Sequence, residues 1–298
     1  EQPCSHAGAF KLDGRFLLQA CVEPDDNKRH AFMQYWSVSQ GFRTLDEALQ
    51  ANLSIDVISV CSPTAFHKDD VDTAIKFKPE LIFCEKPVTK SSKQTRQLID
   101  ACREAGILMC VNHTRRWDPE LEKLKQDLIT QKFGELRSIV GFYNKGTLNN
   151  GSHLIDLLHF LLGDLEIIAT GDGVIDLSPD DPTTPALLRS SEGVMVHMVA
   201  ANADDYSLFE LQLICSNRVL TMRDGGMSWH TRLPESSSRF SGYRVLDEGV
   251  VRSGGYPQAM TRAVANIYQA LVCGDDLAST GESAYKAQEM CENLVSGQ

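Results

Sequence analysis

Two side chains in this 298-residue chain stand where they could hold a developing charge or move a proton. Lys86 lies in Cys84-Glu85-Lys86-Pro87-Val88-Thr89, directly after an apolar run that reads as a parallel strand. Ligands of open α/β sheets bind beyond the carboxyl ends of such strands, and Pro87 restrains the backbone just behind the ammonium. A cation at that edge can stabilise negative charge on a substrate oxygen. His153 opens an apolar helix in Gly151-Ser152-His153-Leu154-Ile155-Asp156. Imidazole is the side chain best suited to proton transfer near neutral pH, and Asp156 follows three residues later on the same helical face. Taken singly, an exposed lysine is usually a solvated charge, and a histidine near a helix start usually packs or caps.

Two neighbouring segments change that balance. Cys61-Ser62-Pro63-Thr64-Ala65-Phe66-His67 follows one strand candidate, and Asn112-His113-Thr114-Arg115-Arg116-Trp117 follows another. With Glu85-Lys86-Pro87 they make three strand ends that carry polar groups. Pro63 and Thr64 also suit a plain helix start.

The elements that must position these residues follow from the hydrophobic pattern. Strand candidates fall at 16–22, 55–61, 81–84 and 107–111, with helices near 26–36, 45–51, 67–76 and 91–105. Asp25 and Ser91 or Ser92 are candidate N-caps. The strand runs lack polar alternation, as in sheets covered on both faces, and their alternation with helices predicts a parallel, doubly wound sheet. After Trp117 the pattern changes. A helix at 119–130, a strand at 136–143 and a helix at 152–162 precede consecutive strands at 194–200, 208–215, 218–222 and 227–233. Ser216-Asn217 and Gly225-Gly226 mark tight turns, which is antiparallel grammar. Helices at 257–273 and 281–296 close the chain. The division predicted is therefore 1–117 for the doubly wound domain and 118–298 for an α+β domain with an open, mainly antiparallel sheet. Residues 1–10 read as a helix with Pro3 in its first turn and His6 facing Phe10. Gly8 and Gly14 do not compose a G-x-G-x-x-G turn.

Taken in order, the C-S-P-T…H of 61–67, E-K-P of 85–87, N-H-T-R-R-W-D-P of 112–119 and G-S-H-L-I-D of 151–156 resemble the Gfo/Idh/MocA family of NAD(P)-dependent oxidoreductases. The resemblance implies a Rossmann-type doubly wound domain followed by an α+β domain whose open sheet often serves in oligomers, hence a homodimer or homotetramer. It implies hydride transfer between a nicotinamide and a hydroxyl or keto carbon of a sugar, cyclitol or nucleotide sugar. The family's first strand and glycine-rich turn would stand ahead of His6-Ala7, so a sequence that begins late is the expectation. Lys86 would touch nicotinamide ribose and substrate, and His153 would exchange a proton with the reacting hydroxyl. Ser62, Pro63, Thr64, His67, Glu85 and Arg116 would line the cofactor crevice. Asn149, Asp156, Arg116 and Tyr143 would reach the substrate, while Arg115 would face outward. Glu23 would accept from both ribose hydroxyls and repel a 2′-phosphate, favouring NAD; Lys28 and Arg29 lie near enough that NADP is not excluded.

Many members carry Asp where Asn149 stands, and an amide cannot accept a proton. Proton transfer would then rest on His153 with Lys86 assisting. This departure leaves two other readings open: a non-catalytic sugar or nucleotide sensor or assembly subunit, and a redox-neutral lyase or epimerase that retains its NAD.

Composition narrows the remaining classes. The 29 basic and 40 acidic residues give a formal charge of −11, which argues against a nucleic-acid partner. A 42% hydrophobic and 23% charged content is that of a globular chain. No apolar run approaches the roughly 18 residues of a membrane helix, and no leader pattern opens the chain, so a cytoplasmic place is expected. The nine cysteines form no C-x-x-C pair, and they read as reduced thiols rather than as a metal site. His197, Trp229 and His230 read as sheet residues.

Overall fold

Polar caps decide where most helices of the first third begin. Ser5, Asp25 and Thr44 hold extended backbone and accept from an amide of the next turn, starting α1 (His6–Asp13), α2 (Asp26–Trp36) and α3 (Leu45–Gln50). The next helix, α4 (Thr64–Ala74), starts at Pro63 without a side-chain cap, and Ser91 caps α5 (Ser92–Glu104). Between them run β1 (Ala20–Val22), β2 (Gln40–Phe42), β3 (Val57–Val60), β4 (Leu81–Cys84) and β5 (Leu108–Val111). All pairings are parallel: β1 with β2, and β3-β4-β5 in that order. Every residue of the central β4 is buried. On α5, Thr95, Leu98, Ile99 and Cys102 are buried, the stripe that a 3.6-residue period lays on one face.

The protein is described by a computed structural model covering residues 3–297. The helix expected at 1–10 begins at His6 behind its Ser5 cap, and Glu1 and Gln2 lie outside the described residues. The strand expected at 16–22 is only Ala20–Val22, because Phe16 turns aside to meet Phe10 edge-on at 5.0 Å and Tyr268 at 6.0 Å. The pattern did not announce β2, whose Gln-Gly-Phe has no apolar run. The parallel strands lie in two separate sheets, of two and three strands, rather than in one.

The later region is built around one large sheet. Asp118 caps α6 (Pro119–Ile129), followed by β6 (Leu136–Tyr143), α7 (Ser152–Leu162), β7 (Leu165–Thr170), β8 (Ala186–Ser190) and β9 (Met195–Ala200). Then come β10 (Phe209–Cys215), β11 (Arg218–Arg223), β12 (Ser228–Arg232), β13 (Pro234–Ser236), β14 (Arg244–Leu246) and β15 (Val250–Ser253). Eight of these make a sheet in the order β15-β12-β11-β10-β6-β9-β8-β7, antiparallel except for β6 with β9. Strand β10 alternates buried Phe209, Leu211, Leu213 and Cys215 with half-buried residues, so one face of the sheet supplies the core. Leu121 and Leu124 of α6 and Leu154, Ile155 and Leu158 of α7 pack into that core. A Cβ at Gly141 would lie 2.9 Å from Leu154, so only glycine lets α7 press this closely on β6. Trp229 joins the core, whereas His197 and His230 belong to the opposite face. There the strand register lines up His197, Val140, Gln212, Thr221 and His230 in one row.

Two helices end the chain, α8 (Ala259–Cys273) and α9 (Gly281–Ser296). Two compact units emerge: residues 1–114 with 260–286, and residues 115–259 with 287–298. A single division near 117 assigned everything after it to the second unit, and the end of the chain departs from that. Ser279 donates to the Val111 carbonyl at 2.6 Å, and Arg96 and Arg103 of α5 both reach Glu282, tying this segment to the first unit. These contacts span up to 186 positions and leave no local signature.

Candidate active site

Registration of Val60, Cys84 and Val111 across β3-β4-β5 sets Cys61, Glu85 and Asn112 along one carboxyl edge of the first unit. Glu85 is held from three directions. His6 Nε2 lies 3.0 Å from Oε1, Asn112 Nδ2 donates to Oε1 at 2.8 Å, and the Lys86 amide donates to Oε2 at 3.3 Å. His6 is buried, stacks on Phe83 at 4.0 Å, and places Nδ1 2.5 Å from Ser59 Oγ. Burial disfavours its charge, but Cys61 and the Glu85 carboxylate outweigh that and raise its pKa to about 9. Burial pushes the Glu85 carboxyl up, yet His6 and Asn112 hold it below its ordinary value. At neutral pH this is an imidazolium–carboxylate pair.

The other end of the same segment is braced by His67. Its Nδ1 lies 2.9 Å from the Pro87 carbonyl oxygen and its Nε2 2.6 Å from that of Ser62. His67 is buried, so its ring is a strut between two strand ends rather than the crevice lining expected of it. Lys86, between the braces, is half-buried, and the Lys86–Pro87 peptide is cis. Ser62 donates to Asp70 at 2.5 Å, Pro63 is exposed, and Thr64 is half-buried. Glu23, just past β1, is half-buried and accepts from the Asp25 amide at 2.9 Å. The buried Arg29 donates to the Glu23 carbonyl and pairs with Asp26. Arg43 also pairs with Asp26, and the two guanidiniums, Arg43 foremost, bring that carboxyl down to about 2.

In the second unit a turn of π-helix, Gly146–Gly151, runs straight into α7. Its first amides are held by acids from a distant loop. Asp181 accepts from the Leu148 and Asn149 amides at 2.7 and 2.9 Å, and Asp176 accepts from the Lys145 amide at 2.7 Å. Lys145 itself has φ of +66°, a strained value for a side chain with a Cβ. A Cβ at Gly151 would sit 2.8 Å from the Tyr143 ring, so the glycine before His153 permits the helix to start there. His153 is half-buried, and it is the one residue of 151–158 that is not buried. The first turns of a mostly apolar helix thus present one imidazole, while His159 near its end turns Nδ1 to the Gly163 carbonyl at 2.9 Å.

Several substrate-contact expectations are corrected here. Tyr143 is fully buried and donates to the Thr184 carbonyl at 2.6 Å, which removes it from any substrate. Asp156 is buried and takes both Arg116 Nε contacts at 2.9 Å, so these two form a structural ion pair under α7. Asn149 is half-buried and donates Nδ2 to the Lys145 carbonyl at 3.1 Å, which does not remove it from a substrate. Arg115 does not face outward. It is buried, lies 3.9 Å over the Phe209 ring and donates to the Gly225 carbonyl at 3.1 Å. Sequence reasoning missed His6 as a partner of Glu85, 79 positions away, and missed Asp176 and Asp181 altogether. A tertiary pairing at such separation has no spacing to betray it. Among the described residues no cluster of His, Cys, Asp or Glu suits a metal ion.

Residues 5–113 match the profile of the oxidoreductase family with an NAD-binding Rossmann fold, Gfo/Idh/MocA. This likeness lies within the first unit and does not extend to its 260–286 segment. The oxidoreductase YrbE of Bacillus subtilis is 42% identical over 71 residues, 24% of this chain and 20% of that protein. The myo-inositol 2-dehydrogenase of Thermotoga maritima is 21% identical over 214 residues, 64% of this chain and 62% of its own. The matches therefore span from a fifth to less than two thirds of these relatives' length. Among solved structures, a putative NADPH-dependent oxidoreductase from Desulfitobacterium hafniense superposes with a TM-score of 0.81 at 17% identity, covering 98% of this chain and 91% of that one. That likeness shows a shared fold. Within residues 5–113 the residue types suit a dinucleotide: a half-buried carboxylate, Glu23, stands past β1, and a half-buried cation, Lys86, follows β4. Among the described residues no helix is long and apolar enough to cross a membrane.

Proposed function

We propose that the protein is an NAD-linked oxidoreductase acting on a hydroxyl or keto carbon of a sugar, cyclitol or nucleotide sugar. The observation that carries the reading is the bracing of Lys86, with His6 on Glu85 and His67 on Pro87, inside a domain of the NAD-binding class. Holding the chain on both sides of Lys86 sets where its stem begins, and an ammonium there offsets charge that develops on a substrate oxygen. His153 takes the hydroxyl proton during oxidation and returns it during reduction. When bound, the nicotinamide supplies the hydride acceptor or donor. Asn149 positions rather than ionises, since its amide holds no labile proton near neutral pH. Glu23 and Ser62 would hold the dinucleotide, and NAD is favoured because Arg29 spends its guanidinium on Asp26 and the Glu23 carbonyl instead of a 2′-phosphate. We also read the outer face of the large sheet as the seat of a second copy of the chain, and the nine unpaired thiols as suited to the cytoplasm.

The test is cofactor reduction by the full chain with NAD or NADP across a panel of cyclitols, glycosides and nucleotide sugars. NAD-dependent turnover that Lys86→Ala and His153→Ala abolish supports the reading. Cofactor binding without turnover on any substrate would make the protein a sensor. Substrate conversion with no net reduced cofactor would make the cycle redox-neutral.

A further inference from the structure

In the second unit, between α6 and the strands β11, β12 and β15, the helix layer leaves a recess of about 160 Å³ over the sheet. Its rim is unlike the rest of this acidic chain. Lys123, Lys132, Arg218 and Arg252 line it against only two carboxylates, Glu120 and Asp127, although the whole chain carries a formal charge of −11. The pairs present do not use up this surplus. Asp127 is shared by Lys132 at 2.9 Å and Lys123 at 3.9 Å, and Glu120 takes Arg252 at 2.5 Å. Lys123 and Lys132 are 63% and 53% exposed, so solvent screens their pairs and an incoming anion can exchange with them at little cost. Arg218 makes no ion pair among the described residues. Its guanidinium lies 4.5 Å over the Phe133 ring and its Nε donates to Asn217 Oδ1 at 3.3 Å, which together orient the fork while its terminal nitrogens keep donors to offer.

A second observation points the same way. Trp229, one of the residues lining the recess, is 2% exposed, and its Nε1–H finds no acceptor among the described residues. A buried indole donor without a partner calls for an oxygen from outside the chain, a water or a ligand. Donors in surplus on the rim and an orphan donor among the lining residues both lack one thing, a compact acceptor with several charged oxygens. We propose that this recess binds a phosphate group, either as inorganic phosphate or on a small phosphorylated metabolite. None of its residues belongs to the Lys86 or His153 sites, so the proposal does not depend on the oxidoreductase reading.

Calorimetric titration of the intact chain with inorganic phosphate at low ionic strength tests it. Saturable binding with Kd on the order of 1 mM is expected, accompanied by a change in tryptophan emission. Arg218→Gln with Lys132→Gln should weaken binding about tenfold or more, and added salt should weaken it in step. Lys123→Gln, at an exposed side chain that leaves the core alone, should weaken it about threefold and covers the case in which the double variant fails to fold. Glucose 6-phosphate binding more tightly than phosphate would identify a phosphorylated metabolite as the ligand, and equal or weaker binding would identify free phosphate. No saturable heat up to about 10 mM phosphate, or wild-type affinity in a folded variant, overturns the proposal.

Discussion

The two places where a titratable group is presented solve the same problem with different means. In the first unit Lys86 is positioned by side chains: an imidazolium–carboxylate pair, an amide and a second histidine drawn from α1, β5's end and α4. In the second unit His153 is positioned by backbone: Asp176 and Asp181 grip the amides at the head of a π-turn, and an apolar helix seated against Gly141 carries the rest. The first arrangement stores its order in charge and responds to pH. The second stores it in packing and responds to volume.

The largest effects should fall on turnover and test the two presented groups directly. Lys86→Ala and His153→Ala are each expected to lower kcat by about 10²–10⁴ while circular dichroism stays native. Wild-type turnover in either variant would remove that residue from the chemistry. Next in size is a volume change on the packing side. Leu154→Ala removes a fully buried side chain from α7 and should cost about 3 kcal/mol in urea unfolding, with no special pH dependence.

The charge side should behave differently. The folded pKa of His6, about 9, lies above its ordinary 6.5, so the folded state holds the extra proton between those values. The stability it contributes is complete below about pH 6.5 and is lost as pH rises through about 9. Allowing for screening at the Glu85 carboxylate, on the order of 2 kcal/mol is at stake. His6→Gln should flatten the corresponding slope of unfolding free energy against pH, and an unchanged slope would mean that the pair carries no linkage.

The smallest expected effect has the opposite sign. Burial raises the Asp118 carboxyl to about 6, so its unfolded form ionises first and stability falls as pH climbs from about 3.8 to about 6. Asp118→Asn keeps an acceptor for the Glu120 amide and should gain about 1 kcal/mol at neutral pH, with no gain below about pH 4. A loss instead would show that the buried Arg115 guanidinium, and not desolvation, governs this carboxyl.

Much of the architecture was legible in local pattern. The 136–143 strand and 152–162 helix coincide with β6 and α7, because an alternating or apolar run bounded by glycine and polar residues has one reading in either register. Lys86 could be set past the end of β4 because an uninterrupted apolar run that stops at Glu85-Lys86-Pro87 can only end there. Other assignments failed where a side chain had two possible fates. Tyr143 and Asp156 have the right chemistry to touch a polyol, but whether a hydroxyl or carboxylate faces solvent or a neighbour is decided by what packs over it. Arg115 was expected outside because a guanidinium is costly to bury, and it is inside because Phe209, Tyr256 and a backbone carbonyl replace its water.

What the order of residues determined alone is the succession of strands and helices, their caps, and the ends at which lysine, asparagine and glutamate collect. These depend on periods of two and 3.6 residues and on contacts a turn apart. What only the tertiary structure decided is which groups are paired: His6 with Glu85, Asp181 with the π-turn, Arg116 with Asp156, and the cations gathered over Trp229. The first three join residues 33 to 79 positions apart and the recess gathers side chains from 120 to 252, and such groupings have no sequence period from which they could be read.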